Sequence, residues 1–478
     1  MSFERRSSAF ALAIGLVCVG MAGCSRDRAK AGSAAPSSTV TSAASPGVSA
    51  TGSSSAAPGV SSGSSANAAS DVPRTGRPTK PINVLLLTID SLRYDMPWQG
   101  YPRDIAPNLT ALARESVVYP RAYSVSSYTA KSVGALLSGR YPSQLYRSWS
   151  FFAEYSLDNE FFPELLSARG VKTMAAHAHF YFDRGKNLNQ GFDVWRMVPD
   201  LKVNNTTDES ITGDKHTDLA IDLLSEPANT KGPFFLWLHY MDPHDQYRPH
   251  PEAPNFGKST RDHYDAEVFY TDLQVERLLA FARKQPWWED TAVIVSSDHG
   301  EAFGEHKMWR HAFALWEVLT RVPLIVKAPG AAPRMVDARR SDIDLAPTIV
   351  DLLGLSPSPG FVGRSLVPEV YGIEPPGDRE PIVTDLPGDS NNSPMRAIVK
   401  GDYKLIVDDA GGGVSLYDLA RDPGETKNLA RDKKHADALA DMRRVFDETW
   451  AKLPRVAPYG GGKIKGGGKA NGPRGPKG

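Results

Sequence analysis

The sequence predicts an α/β domain that ends in a small antiparallel sheet. Short, almost wholly apolar runs at Val84–Ile89, Phe234–Leu238 and Ala292–Val295 read as strands buried on both faces, as in parallel sheets. Amphipathic stretches alternate with them; the longest, His263 to Arg283, has apolar or aromatic residues at Val268, Tyr270, Leu273, Val275, Leu278 and Leu279. After about Pro381 the pattern changes to Ile382–Val383, Arg396–Val399, Tyr403–Val407 and Val414–Tyr417, the rhythm of a small antiparallel sheet.

The elements follow in order. Arg5 and Arg6 precede an apolar run, Ala9 to Met21, which is too short for a comfortable membrane span. It ends in Met21-Ala22-Gly23-Cys24, which resembles a bacterial lipobox. Residues 1–24 are therefore expected to be a signal peptide whose cleavage leaves Cys24 lipidated, anchoring the protein to the bacterial cell envelope; the other reading is an ordinary secretory signal. Residues 25–80 are Ser, Ala, Gly, Thr and Pro with almost no large apolar side chains, the composition of a disordered tether. A catalytic domain is expected over 81–380, a C-terminal subdomain of the same fold over 381–456, and a disordered Gly/Lys tail over 457–478. Within the domain, Pro107 to about Val117 reads as a helix and Thr129 opens another, Ala130 to Leu137. Asp344 to Leu353 reads as a helix that ends near Gly354, and His435 to Leu453 as the last one.

Lys+Arg and Asp+Glu balance at 55 each, so no basic surplus points to nucleic acid. The two cysteines, Cys18 and Cys24, both lie in the expected signal segment, which excludes disulfide or thiolate chemistry from the body of the protein.

The chemistry sits at strand ends. Asp90 follows the first strand, Asp242 and His244 follow the second, and Asp298 and His299 follow the third. In open α/β sheets ligands bind beyond the carboxyl ends of the strands. Asp90, Asp298 and His299 offer two hard oxygens and an imidazole nitrogen to a divalent cation, and the Thr129 hydroxyl can complete the shell. Thr129 is equally suited to cap its helix, a role compatible with nucleophilic attack. Lys131 and Arg93 are candidate anion contacts, although residues of their type more often lie on the surface.

Together these segments resemble the sulfatase family of the alkaline-phosphatase superfamily. The resemblance rests on Asn83–Arg93, Ala106-Pro107-Asn108-Leu109, Val125–Arg140, Asp242-Pro243-His244, Ser297–Glu301 with Gly304-Glu305-His306, and Arg321–Val326. It continues through Asp344–Ile349 and Leu416–Leu419. It implies a mixed sheet flanked by helices with a small C-terminal sheet-plus-helix subdomain. It also implies metal ligation by Asp90, Thr129, Asp298 and His299, nucleophilic attack by Thr129, and substrate binding by Asp242 with Arg93. His244 matches a leaving-group or substrate-contacting histidine, and His311 falls near a family lysine that contacts the anion; Lys131 joins them as a catalytic candidate. The alternative is that Asp242, His244 and His311 hold a second metal. Where the family carries a formylglycine made from Cys or Ser, this chain has Thr129, which cannot become that aldehyde, so none is expected. Ser91 stands in place of a second metal-site Asp, and His299 in place of the usual Asn. Ligand type then moves the cation from Ca2+ toward Mn2+, Zn2+ or Mg2+.

Relatives with a Thr nucleophile transfer phosphoryl groups, so the resemblance implies cleavage of a phosphate or phosphonate ester or diester through a phospho-threonine. Two alternatives stand beside it: a true sulfuric ester hydrolase acting on sulfated glycans or aryl sulfates, and a non-catalytic anion-binding lipoprotein. The substrate, a small molecule or a glycan or lipid ester, would be selected by loops at Tyr146–Tyr155, Phe180–Phe192 and Gln246–Ser259. These carry Phe151, Phe152, Tyr181, Phe182, Arg184, Tyr247 and Arg248, half of which could equally be core.

Overall fold

The computed structural model describes residues 77–182, 186–201, 212–378 and 381–460. The expected signal peptide, the tether up to residue 76 and the tail from residue 461 lie outside the described residues.

The main sheet has eight strands: β1 (Asn83–Ile89), β2 (Val117–Val118), β3 (Lys172–His177), β4 (Val194–Met197), β5 (Phe234–Tyr240), β6 (Thr291–Ser296), β7 (Leu324–Lys327) and β8 (Arg334–Met335). Their order is β8-β2-β7-β6-β1-β5-β3-β4. The run β6-β1-β5-β3-β4 is parallel, and β7 runs against both β6 and β2, so the sheet is mixed. Every residue of β1, β5 and β6 is buried because helices cover both faces. Alternate residues feed two separate apolar layers. Val84, Leu86, Phe235, Trp237 and Ile294 enter one, and Leu85, Leu87, Leu236, Val293 and Val295 the other.

Register decides where the chemistry meets. Thr88 lies opposite His239 on one side and Ser296 on the other. Asp90 and Asp298, each two residues further on, therefore leave the sheet at the same edge.

Several expected boundaries moved. The helix at Pro107 stops at Arg114, because Val117 and Val118 leave it to pair with Val326 and Ile325. The long helix starts at Thr260, three residues before His263. Ser259 caps it: its backbone N–H donates to Asp262 and its hydroxyl accepts from Asp262 N. β5 continues two residues past Leu238 and so includes His239. The helix expected from Asp344 is a 3-10 turn, Asp342–Asp344, followed by an α-helix, Leu345–Leu352. β3, β4 and the helix Gly213–Ser225 have no counterpart in the sequence reading.

The C-terminal sheet is an antiparallel meander in chain order: β9 (Ile382–Leu386), β10 (Met395–Lys400), β11 (Tyr403–Asp408) and β12 (Val414–Asp418). The helix Ala436–Ala451 seals it, with Met442, Val445, Phe446 and Trp450 packed on Ile398, Leu405, Val407 and Leu416.

Candidate active site at the strand ends

Thr129 is the first residue of a ten-residue helix, Thr129–Ser138, and Tyr128 holds the cap position. The expected capping role therefore passes to the preceding residue, and the Thr129 hydroxyl is free for other partners. It lies 3.0 Å from Asp90 Oδ2 and 3.2 Å from His299 Nε2. Tyr128, Thr129 and Ala130 line a cavity of about 380 Å3, so the positive end of the helix faces it.

The cavity floor is a buried cluster of carboxylates and imidazoles. One donor atom each from Asp90, His239 and Asp298 lies within 4.8 Å of the others. Asp90 Oδ1 accepts from Ser91 Oγ at 2.8 Å, and Oδ2 lies 3.2 Å from His239 Nε2. By distance neither oxygen of Asp298 accepts a hydrogen bond among the described residues, and the neutral His299 ring places Nε2 3.4 Å from Oδ2. Burial and the charge of Asp90 push Asp298 up to about 7. Against its burial, His244 and the hydrogen bond from His239 hold Asp90 well below the usual carboxylate range. The same hydrogen bond raises His239 against its own burial. Two buried carboxylates side by side, one of them orphaned, fit a divalent cation. Asp90, Asp298 and His299, with the Thr129 hydroxyl, lie around one point as the sequence reading expects, and His239 joins them from inside β5. Its position in a strand rather than a loop hid it, since a histidine in an apolar run reads as core.

The opposite wall is rich in imidazoles. His179, His244 and His311 line the cavity; the His244 and His311 ring centres are 5.0 Å apart, and those of His299 and His311 are 4.3 Å apart. Against its burial, the Glu301 carboxylate, 3.2 Å from His311 Nδ1, raises His311 to about 9. Burial and His311 lower His299 to about 3, and burial and His244 lower His179 to about 3. The segment carrying His311 has left-handed backbone at Arg310, Ala312 and Phe313, with φ of 68°, 65° and 58°. Hydrogen bonds from Ala312 N to Ser127 O and from Phe313 N to Asn392 Oδ1 hold it there.

Three expected site residues are committed elsewhere. Lys131 is fully buried, with Nζ 3.3 Å from Asp389 Oδ2. Arg93 pairs with Asp95 at 2.8 Å and Glu305 at 2.9 Å, and donates to Glu301 O. Asp242 accepts from Thr212 N at 2.7 Å, at the start of the helix Gly213–Ser225. Each serves as a brace behind the site rather than as a wall of the cavity.

Of the expected specificity loops, Phe151, Phe152, Phe180 and Tyr181 line the cavity. Phe182 packs on Trp237 and His239 in the core, and half-buried Tyr247 packs on Tyr264 and Phe303 at the core's edge. Arg248 donates its backbone N–H to Glu267, and Arg184 lies outside the described residues.

The sequence reading missed a turn of the C-terminal sheet, between β9 and β10. Asp389 accepts from Tyr128 Oη and pairs with Lys131, on either side of Thr129. Ser390 Oγ accepts from Phe151 N, and Asn392 holds Phe313 N. One short turn thus touches the nucleophile helix, the aromatic wall and the His311 segment.

The family model described as Sulfatase matches residues 82–355, and that described as N-sulphoglucosamine sulphohydrolase, C-terminal, matches residues 304–452. A choline-sulfatase of Rhizobium meliloti is 26% identical over 454 residues, covering 77% of this chain and 86% of that protein. A solved 2-O GAG sulfatase matches with a TM-score of 0.67 at 22% identity, over 78% of this chain and 93% of that chain. The phosphonate monoester hydrolase of Agrobacterium radiobacter matches with a TM-score of 0.64 at 20% identity, over 78% and 96%.

Proposed function

We propose that this chain, which belongs to the sulfatase family and is thereby an ester hydrolase, cleaves a phosphate or phosphonate ester or diester through Thr129. The observation that carries this is the Thr129 hydroxyl, 3.0 Å from Asp90 Oδ2 and 3.2 Å from His299 Nε2 at the mouth of a helix. In this scheme the Thr129 proton passes to the carboxylate pair of Asp90 and Asp298, of which Asp298 is the more basic, as Oγ1 bonds to phosphorus. The bond to the leaving oxygen breaks, and that oxygen takes the proton held by His311. Water then attacks the phospho-threonine, returning its proton to His311, and Thr129 recovers its own. A divalent cation held by Asp90, Asp298 and His299 supplies charge neutralisation at the transferring group. The anion is oriented by the N-terminal end of the helix and by His244, and the leaving group rests on Phe151, Phe152 and Phe180.

A second reading, sulfate-ester hydrolysis by the unmodified Thr129, is supported by the family model and by the sulfatases among the relatives. We place the protein on the bacterial cell envelope, held by a lipidated Cys24; Arg5, Arg6, the apolar run and Met21–Cys24 support this.

The test uses a matched aryl phosphodiester and aryl sulfate with one leaving group. The purified chain is reconstituted with Mn2+, Zn2+, Mg2+ or Ca2+, with Thr129→Ala alongside. Phosphodiester turnover that falls by at least about 10³-fold in the variant is the expected result. Preferential sulfate turnover would establish the second reading. Absence of turnover with both esters would leave a narrow natural substrate or an anion-binding protein, and metal content would decide between them.

A further inference from the structure

Ser91 follows Asp90, and its hydroxyl is committed to Asp90 Oδ1 at 2.8 Å. The cluster draws another donor from the neighbouring strand. His239, opposite Thr88 in the sheet register, places Nε2 3.2 Å from Asp90 Oδ2. It is fully buried, as is Asp298, whose two oxygens lack donors among the described residues.

The other side of the His239 ring is held by a relay. Nδ1 lies 2.8 Å from Thr88 Oγ1. Trp237 Nε1, which can only donate, reaches the same oxygen at 2.9 Å. The single Thr88 proton has Leu238 O at 3.3 Å. Thr88 Oγ1, backed by Trp237 Nε1, thus holds the Nδ1 side of the ring, and Nε2 faces the carboxylates. His299 Nδ1 donates to Gly300 O at 2.9 Å, which leaves its Nε2 without a proton. Its Nε2 lies 3.5 Å from Asp90 Oδ1 and 3.4 Å from Asp298 Oδ2. Two imidazole nitrogens therefore converge on one pair of carboxylates.

We infer that His239 is a metal ligand of this site, oriented by Thr88 and Trp237, and that the resulting two-imidazole, two-carboxylate set takes a first-row transition cation such as Zn2+ in preference to Ca2+. Ca2+ seeks six to eight oxygens, whereas imidazole nitrogen favours the transition series. Partners that hold the far nitrogen of a ligating histidine fix its tautomer and raise its affinity. The inference rests on the reading of Asp90, Asp298 and His299 as ligands, and is independent of which ester is cleaved.

The test measures Zn2+ and Ca2+ binding to the chelator-stripped full chain by calorimetry, without any turnover assay. Wild type is expected to bind Zn2+ at least about 100-fold more tightly than Ca2+. His239→Gln and Thr88→Val are expected to weaken Zn2+ about 10- to 100-fold and to leave Ca2+ unchanged, while Thr88→Ser, which keeps the hydroxyl, retains wild-type affinity. X-ray absorption of the Zn2+-loaded wild type should count two imidazoles, a readout that stands if a variant fails to fold. Equal or tighter Ca2+ binding, one imidazole, or unchanged Zn2+ affinity in folded His239→Gln would overturn the inference. Because Thr129→Ala is scored by turnover alone, failure of the proposed hydrolysis and failure of this ligand set are distinguishable.

Discussion

The Thr129 hydroxyl has two acceptors within reach, Asp90 Oδ2 at 3.0 Å and His299 Nε2 at 3.2 Å, and one proton to give. Gly300 O fixes the His299 tautomer, and burial with His311 keeps that ring neutral, so Nε2 stays bare. His311 is the opposite case. Glu301 holds its proton until about pH 9. A step that needs this proton is served below that value and fails as pH rises through it. We expect kcat to fall along a basic limb near pH 9. His311→Gln should remove that limb and lower kcat by about 10²- to 10⁴-fold, measured as a pH–rate profile of both proteins. A pH profile of the variant that retains the limb would assign it to another group. The sequence order pointed to His311; its partner Glu301 could not be seen, because the nine residues between them fold back only through a strained loop.

Between His299 and Glu301, Gly300 shows why an element is needed to hold a residue. A Cβ there would lie 2.1 Å from Val318 O, a backbone atom that cannot swing away. Gly300 N also donates to Leu319 O at 2.8 Å, so the turn at Glu317–Thr320 is locked against the metal-site loop. Gly300→Ala is expected to cost about 1–3 kcal/mol, read as a lower denaturant midpoint, and to lower metal affinity with it. A wild-type midpoint would show that the turn is free to shift. The turn Asp389–Asn392 acts at the same scale. Asp389→Ala removes the partner of buried Lys131 and the acceptor of Tyr128, on both sides of Thr129. We expect a loss of about 3–5 kcal/mol and a fall in kcat larger than any change in KM. Equal kcat in a folded variant would reduce the turn to a structural brace.

Across the whole molecule, the C-terminal sheet is tied to the site by charge as well as by packing. Lys404 on β11 lies 2.9 Å from Glu317 and 3.1 Å from Glu425, all buried, and Tyr123 donates to Glu317. The interior also holds histidines that carry no charged partner among the described residues. His216 packs on Tyr240 with ring centres 4.6 Å apart, and burial lowers it to about 4; burial also lowers His177 well below the histidine range. The unfolded chain takes the His216 proton near pH 6.5 and the folded chain does not until about pH 4. Stability is therefore complete above the upper value, falls as pH drops through the window, and levels off below it. His216→Phe should flatten this acid slope, measured as denaturant midpoints at a series of pH values; an unchanged slope would place the acid sensitivity in other groups.

The sequence by itself determined the α/β class, the central strands, the C-terminal meander, and the placing of Asp90, Asp298 and His299 just past strand ends and of Thr129 at a helix start. Each is written locally, in apolar runs, turn residues and acids just past strand ends. Weakly apolar Lys172–His177 carried no such signal and became a strand only by pairing with β5. Only the tertiary structure decided what the remaining polar residues do. Lys131 and Arg93 look like anion contacts in a line of letters, yet burial obliges each to find a carboxylate, and Asp389 and Asp95 supply them. His239 looks like an anomaly in an apolar strand, yet register sets it beside Asp90. Long-range pairing fixes which charges meet, and no local pattern encodes that distance.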